Sequence, residues 1–304
     1  TAGGHRRVAT QVGRELAALR QAARLRNIFG PGLRQSRVMR AGPTAKALWG
    51  SAASGVPPGR MRALRVAAAK SVGRLPPGAA LSYVLQCTPR GWRQDPLVVA
   101  TGLAVQAFSS ATWAKQAWPA AVQACLQDAE RLQYCQRPWE AVRDPIAALV
   151  LTLQRIGGQL TAGGAHLRDE RGYEFDVGTY SPAFLAERAR EATRKAAALE
   201  EASSRPETLW PWRLPPAWRP VNDLLGRSGS EVWTSHHKGC LRLLVSLANW
   251  PQARLARHKD DISPLCLRCQ YDEGTMFHRR FVCLAWAAWR RDRLPPRFLE
   301  AAHV

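Results

Sequence analysis

The spacing of apolar and polar residues predicts an amphipathic helix over residues 6–26, close to the start of the chain. The sequence Gly30-Pro31-Gly32 ends this helix, because Gly and Pro interrupt helices. On a helical wheel the apolar face comprises Val8, Val12, Leu16, Leu19 and Ala23. The opposite face is basic and comprises Arg6, Arg14, Arg20 and Arg24. We therefore expect the apolar face to pack inward and the arginines to face solvent.

Two further basic segments follow before Pro76-Pro77. The segment 34–53 carries an arginine at every third position near its start, at Arg34, Arg37 and Arg40. A helix then begins near Pro57-Pro58, where Pro is tolerated in the first turn, and reaches Val72. Residues 1–80 thus predict a basic helical arm.

Residues 81–204 carry long apolar runs with few charges, which indicates a helical core. Helices are predicted over 96–117, 119–135 and 144–156, and from Ser181-Pro182 to about Ala202. Between the last two helices, the residues of 166–168 and 173–177 alternate on both sides of a turn that contains Gly172. This alternation predicts a short β-hairpin near 166–177. The predicted fold class is therefore mainly α, a helical multi-helix lobe with a short β-hairpin and a small C-terminal zinc module.

A Pro- and Trp-rich segment, 205–230, separates this core from a C-terminal module at 231–304. Five Pro residues within 205–220 exclude a regular helix or a central strand there, so we expect an extended linker. Trp side chains can stack on unpaired bases, and arginines at 213 and 219 adjoin the linker tryptophans. The stacking candidates are Trp210, Trp212 and Trp218.

The charge of the chain points to polyanionic partners. Its 304 residues include 44 Lys and Arg against 23 Asp and Glu, a formal net charge of +21. Drift in a GC-rich coding sequence would also enrich Arg, but it would spread Arg evenly. Residues 1–80 instead hold 15 basic residues and a single acid, Glu15, which favours RNA, DNA or both as partner. No run of 18 uncharged apolar residues occurs, so we expect no membrane partner.

The cysteines indicate a reducing compartment and a metal site. Their number is odd and four of them are scattered, which argues against a disulfide framework. The chain begins at Thr1 without Met and shows no signal peptide. We therefore expect a piece of a longer intracellular protein, nuclear or cytoplasmic and not secreted. The cysteines are Cys87, Cys125, Cys135, Cys240, Cys266, Cys269 and Cys283.

The last three cysteines and one histidine form the pattern C-x2-C-x8-H-x4-C, whose donors and spacing suit tetrahedral Zn²⁺. The predicted metal ligands are Cys266, Cys269, His278 and Cys283. Four protein ligands fill the coordination shell, so the site is structural rather than catalytic. We expect a helix from Phe277 to Arg290, with His278 at its frayed start, because residues five apart lie about 140° apart on an ideal α-helix.

Two alternatives for this pattern stay open at this point. The three cysteines could be small buried apolar groups without a metal. A nearby donor could also replace one of the four ligands, and the available donors are His236, His237, Cys240 and His258.

Arginines flank the predicted site, and they could offset its formal charge of −1, contact phosphate, or do both. With those of the arm they make up the predicted nucleic-acid contacts. These are Arg14, Arg20, Arg24, Arg34, Arg37, Arg40, Arg279 and Arg280.

The C-terminal segment resembles the region after the polymerase domain in reverse-transcriptase polyproteins of non-LTR-type retroelements. In that family a Cys-Cys-His-Cys module often reads Gly-Thr, two residues, His-Arg, three residues, Cys, as Gly274 to Cys283 do here. The likeness spans about 50 residues and includes His236-His-Lys-Gly239, Asn249-Trp-Pro-Gln-Ala-Arg-Leu255, Cys266-Leu-Arg-Cys269 and Trp286. Looser similarities lie at 55–59, 138–139 and 169–172.

The resemblance implies that 1–80 is a thumb-like arm along template and primer, and that the zinc module helps to hold nucleic acid during element copying. It implies a parent RNA-directed DNA polymerase but brings no catalytic residue. Asp260-Asp261 follows His258-Lys259 instead of an apolar strand, so we interpret this acid pair as a solvated turn. The acidic cluster of an RNase H domain is absent from the sequence too. The alternative functions are a zinc-stabilised structural or protein-interaction module, and a nuclease, which would need clustered carboxylates.

Overall fold

A computed structural model describes residues 2–30, 33–73, 75–87, 91–115, 119–132, 134–205, 218–227, 229–230 and 233–293. The chain is mainly helical with one small antiparallel sheet, which confirms the predicted fold class. It divides into two compact units, one formed by 1–75 with 84–197 and the other by 76–83 with 198–304. Within the described ranges, no helix combines the length and apolarity that crossing a membrane requires.

The first unit contains long and short helices and three strands. They are α1 (Ala2–Ile28), α2 (Leu33–Met39), a π-helical turn (Arg40–Thr44), α3 (Ala45–Leu48), α4 (Ser51–Ser54), α5 (Pro58–Val72), α6 (Leu81–Gln86), α7 (Pro96–Trp113), α8 (Pro119–Leu132), α9 (Pro145–Gln154), β1 (Gln159–Thr161), β2 (His166–Arg168), β3 (Glu174–Asp176) and α10 (Pro182–Ser203). Short 3₁₀ turns lie at Gly91–Gln94, Pro138–Glu140 and Ala162–Gly164. Both α6 and α10 contribute residues to each unit.

Side-chain carboxylates begin two of the long core helices. Asp95 Oδ1 accepts a hydrogen bond of 3.0 Å from the Leu97 amide, and Asp144 Oδ1 accepts one of 2.8 Å from the Ala147 amide. Each cap satisfies an amide that has no partner within the helix, and Pro follows each cap at the first helical position. The apolar runs behind these caps supply the core of the unit, which includes Val105, Leu149, Leu153, Leu167 and Leu185.

The predicted hairpin is present, with β2 paired to β3 so that His166 faces Asp176 and Arg168 faces Glu174. Asp169 shapes its turn, because its Oδ1 accepts hydrogen bonds from the amides of Arg171 and Tyr173. A third strand, β1, pairs antiparallel to β2, and sequence reasoning missed it.

The predicted basic arm is not a separate body, because its helices share a core with α7. Leu48 and Leu64 are buried together with Leu97 and Ala100. Some apolar side chains of the arm thus find their partners beyond residue 80, within the same compact unit.

The predicted apolar face of α1 is wrong by part of a turn. Leu16 and Ala23, expected to pack inward, are exposed. Polar Glu15 is buried instead, because Arg60 Nη1 lies 3.1 Å from its Oε2 and Gln11 donates to its Oε1. The buried residues of α1 are Gln11, Glu15, Ala18, Ala22 and Leu25.

The second unit contains α11 (Trp218–Gly226), α12 (Ser235–Val245), α13 (Gln252–Ala256) and α14 (Ala287–Arg293). Residues 206–217 of the predicted linker, with Trp210 and Trp212, lie outside the described residues. Trp218 begins α11 and packs edge-on against Tyr83 at 5.5 Å between ring centroids. Trp218 therefore serves the core of the second unit, and we withdraw it as a candidate for stacking on bases.

The helix predicted from Phe277 to Arg290 is interrupted. A π-helical turn covers His278–Val282, Cys283 is extended with φ −53° and ψ 118°, and a 3₁₀ turn covers Leu284–Trp286 before α14 begins. This interruption lies at Cys283, a predicted metal ligand.

Candidate metal centre

The second unit brings the four predicted metal ligands together. One ligand atom from each of Cys266, Cys269, His278 and Cys283 lies within 4.8 Å of every other. Cys266 and Cys283 are buried with Sγ atoms 3.9 Å apart, and Cys269 Sγ lies 3.1 Å from His278 Nε2. Residues 17 positions apart in the chain thus meet at one point.

A tight turn supplies the first two ligands. The Gln270 amide donates to the Cys266 carbonyl at 2.9 Å, and Gln270 adopts a left-handed φ of 59°. The chain then returns alongside itself, where the Cys266 amide donates to the Asp272 carbonyl at 2.7 Å. Gly274 permits this close approach, because a Cβ there would lie 2.7 Å from Gln252 Cβ and 3.1 Å from Cys266 Cα.

A π-helical turn supplies the other two ligands. The Cys283 amide donates to the His278 carbonyl at 2.7 Å, a bond between residues five apart. In an ideal α-helix these two side chains would diverge by about 140°, whereas the wider π turn brings both to the same side. The interruption of the predicted helix is therefore what allows His278 and Cys283 to share one site.

The distances fit the geometry of tetrahedral zinc. An ion with Zn–S bonds of about 2.3 Å and a Zn–N bond of about 2.0 Å holds two sulfurs about 3.8 Å apart, and a sulfur and a nitrogen about 3.5 Å apart. The observed 3.9 Å between Cys266 and Cys283 Sγ lies close to the first value, and the 3.1 Å between Cys269 Sγ and His278 Nε2 is shorter than the second. The donor set and the spacing are compatible with zinc.

Side chains around the cluster orient its ligands. Asp272 Oδ2 lies 3.5 Å from His278 Nδ1, on the ring edge opposite the cluster, as carboxylates commonly do behind a metal-bound histidine. Thr275 Oγ1 accepts a hydrogen bond of 3.0 Å from the His278 amide. Arg290 is buried and its Nη2 donates to the Cys283 carbonyl at 2.7 Å. Sequence reasoning missed the role of Asp272, because it does not belong to the spacing pattern, and it placed Arg290 only among the arginines that flank the site.

The surroundings of Cys269 and Cys283 shift the pKa values of these two thiols in opposite directions. The backbone amide of Tyr271 is the main cause that lowers the pKa of Cys269 to about 6, with smaller help from the Asp272 amide and His278. Burial raises the pKa of Cys283 instead. A thiolate, the form that binds metal, is thus favoured first at Cys269.

The alternative donors lie outside the cluster. His236 Nε2 is 3.5 Å from Cys240 Sγ, and His237 accepts a hydrogen bond from the Thr234 amide at the start of α12. His258 packs against the Trp250 ring. In the part of the chain that the structure describes, no second group of three or more Cys, His or acidic residues could hold a metal ion.

The predicted arginine contacts are mostly at the surface. Arg14 is half-buried and donates to the Trp49 carbonyl at 3.2 Å. It is therefore less available for contact with nucleic acid than predicted. Arg279 is exposed and Arg280 is half-buried, both within the π-helical turn. Asp260 and Asp261 are exposed in a turn. The predicted contact arginines of the first unit that are exposed are Arg20, Arg24, Arg34, Arg37 and Arg40.

Comparison with known proteins identifies no relative. No family model, no curated protein and no solved structure matches this chain at a significant level.

Proposed function

We propose that this chain binds nucleic acid as a non-catalytic portion of a retroelement reverse-transcriptase polyprotein. The observation that supports the proposal most strongly is the meeting of Cys266, Cys269, His278 and Cys283 within 4.8 Å, since these are the residues of the motif on which the resemblance depends. A chance likeness in sequence would not require these four side chains to converge.

Zinc is the ion that we assign to this cluster, and its role is structural. When bound, it holds two short segments in place and presents no open coordination position, since four protein ligands complete a tetrahedral shell. The chain's own residues prepare the site through the Cys266–Cys269 turn, the π-helical turn and the Asp272 carboxylate behind His278. No described carboxylate cluster supports a nuclease.

The arginines supply the binding energy in this proposal. The exposed guanidinium groups of Arg34, Arg37 and Arg40 lie on α2 and the following π-helical turn. Arg suits phosphate because its planar fork donates two parallel hydrogen bonds. Each phosphate that an arginine neutralises releases condensed counterions, so the affinity falls steeply with salt.

Exposed apolar side chains on the zinc module favour a second function, that of a protein-interaction module. Leu267 and Leu284 are 69% and 77% exposed, and both adjoin a metal ligand in sequence. A partner protein could cover them, and the arginines would then reflect composition alone.

A salt titration separates the two functions. Fluorescence anisotropy of a labelled single-stranded RNA should give a strongly salt-dependent affinity for the full chain. Changing Arg34, Arg37 and Arg40 together to Gln should reduce the slope of log affinity against log salt by about 2, at about 0.7 for each phosphate contact on a single strand.

A charge-matched control changes three exposed arginines that already pair with carboxylates, so their replacement should alter the slope little. Weak binding that salt does not affect would favour the protein-interaction module. The control arginines are Arg131, Arg137 and Arg168.

A further inference from the structure

A groove in the second unit combines aromatic faces with arginines. Its volume is about 760 Å³, within the range of about 300–1,000 Å³ typical of sites for small ligands. The aromatic lining comprises Trp250, Phe281, Trp286 and Trp289. The charged lining comprises Arg279, Arg280 and Arg290, with no acidic side chain.

One wall of this groove is held rigidly. The Trp250 indole Nε1 donates to the Pro77 carbonyl at 3.3 Å, and the guanidinium of Arg254 lies 4.3 Å from the Trp250 ring centroid. Arg254 is itself buried and donates to the carbonyls of Leu247, Asn249 and Gly78. Trp250 therefore has a fixed orientation and does not need to reorganise to receive a ligand.

The other wall leaves an aromatic ring open to solvent. Trp289 is 51% exposed, and it meets Trp286 edge-on with ring centroids 6.0 Å apart. About half of the Trp289 side chain therefore remains open to solvent beside this neighbour. An exposed indole face is a surface on which any unpaired base can stack, because every base has a π-face.

The arginines of the groove have donors to offer. Arg290 is 6% exposed, and its Nη1 has no hydrogen-bond partner among the described residues, while its Nη2 holds the Cys283 carbonyl. This guanidinium adds positive charge at the wall of the groove, beside the exposed side chain of Arg279. In the part of the chain that the structure describes, neither Arg279 nor Arg280 forms an ion pair.

We propose that this groove, lined by Trp250, Trp289 and Arg290, binds an unpaired nucleotide of a single-stranded nucleic acid, with its base stacked on Trp289 and its phosphate on the arginines. The inference rests on the proposed nucleic-acid binding and names the form of nucleic acid that this site takes. A base in a duplex has both faces covered by its neighbours, so only an unpaired base can enter such a groove.

Two single-stranded oligonucleotides of equal length and charge test the stacking. One is a fluorescein-labelled single strand of thymidines, and the other has the same length and phosphates but abasic sugars throughout. The full chain should bind the thymidine strand more tightly than the abasic strand. Trp289→Ala should weaken thymidine binding about 5- to 150-fold, the range measured for loss of one aromatic stacking partner, and leave abasic binding unchanged.

Three further variants make this test specific. Trp113→Ala is the matched control, because Trp113 lies at the end of α7 in the first unit and is 48% exposed. It should leave both affinities unchanged. Trp289→Phe should restore most of the affinity lost in Trp289→Ala. Arg279→Gln should weaken thymidine and abasic binding by the same factor, because it removes a phosphate contact only, and it tests the groove independently of Trp289.

The outcomes distinguish this inference from the function on which it rests. If the full chain binds both strands with steep salt dependence, but Trp289→Ala changes neither affinity or Arg279→Gln has no effect, the groove is not the site and nucleic-acid binding stands. If the chain binds neither strand, nor a DNA duplex, nor the single-stranded RNA of the salt titration, both proposals are wrong, and a protein partner becomes the better occupant of the groove.

Discussion

The carboxylate of Asp272 lies 3.5 Å from Nδ1 of His278, on the side of the imidazole ring away from the three thiols. This contact leaves Nε2 to face Cys269 and fixes which ring nitrogen is available as a ligand. A side chain that is not a ligand thus determines how a ligand is presented.

Asp272→Asn should weaken metal binding about 10- to 100-fold, because the amide holds the ring less well and makes it a poorer donor. Competition with a chromophoric zinc chelator measures the change. Asp261→Asn is the matched control, since Asp261 is exposed in a turn outside the cluster. The affinity of this variant for zinc should equal that of the unchanged chain. Equal affinities for the two variants would contradict the orienting role of Asp272.

The lowered pKa of Cys269 predicts the reactivity of the metal-free chain. Because that pKa is about 6, the thiolate forms as the pH rises through 6 and is the main form at pH 7. The rate of Cys269 alkylation by iodoacetamide, followed by peptide mass spectrometry, should therefore level off above a midpoint near pH 6. A midpoint near pH 8.5, the ordinary value for cysteine, would mean that the backbone amides do not hold the thiolate without metal.

Removal of the metal should unfold the zinc module and leave the first unit folded. The module between Cys266 and Cys283 has little regular structure, whereas the first unit has a large apolar core of its own. With EDTA, amide hydrogen exchange should become fast around Cys266–Cys283 and remain slow in α7 and α9. Unchanged protection of the module would show that its fold does not depend on a metal.

The ion pair between Arg65 and Asp95 should stabilise the first unit strongly. Arg65 Nε and Nη2 each donate to the Asp95 carboxylate at 2.9 Å, both side chains are buried, and Asp95 also caps α7. Asp95→Ala should lower the free energy of unfolding by about 3–5 kcal/mol, since it removes one partner of a buried ion pair. Urea denaturation measures this change.

The matched control for that change is Asp128→Ala. Asp128 pairs with Arg131 on the exposed surface of α8, so its loss should lower the free energy of unfolding by less than about 1 kcal/mol. Similar losses in the two variants would show that burial does not decide the strength of the Arg65–Asp95 pair.

The metal ligands were predictable because their signal is local. Three thiols and one imidazole within 18 residues define a donor set that few other structures explain. The structure brings these four side chains within 4.8 Å of one another, as a shared site requires. It also places Asp260 in an exposed turn, as expected from its sequence context. The mainly α fold was predictable for a related reason, since Asp95 and Asp144 mark helix starts in front of long apolar runs.

Features that depend on distant partners could not be predicted from spacing alone. Glu15 is buried because Arg60, on α5, lies beside it, and no helical wheel contains that information. The π-helical turn that brings His278 and Cys283 together is set by the shared site rather than by helix propensity. The roles of Trp218 and Arg290 likewise follow from tertiary contacts with Tyr83 and Cys283.

The metal content of the purified full chain tests the central claim most directly. Elemental analysis after gel filtration should find one zinc ion per chain, and Cys283→Ser should lose most of it, whereas Cys135→Ser, at an exposed position, should retain it. Absence of stoichiometric metal from the unchanged chain would contradict the assigned site and, with it, the resemblance on which the proposed function depends.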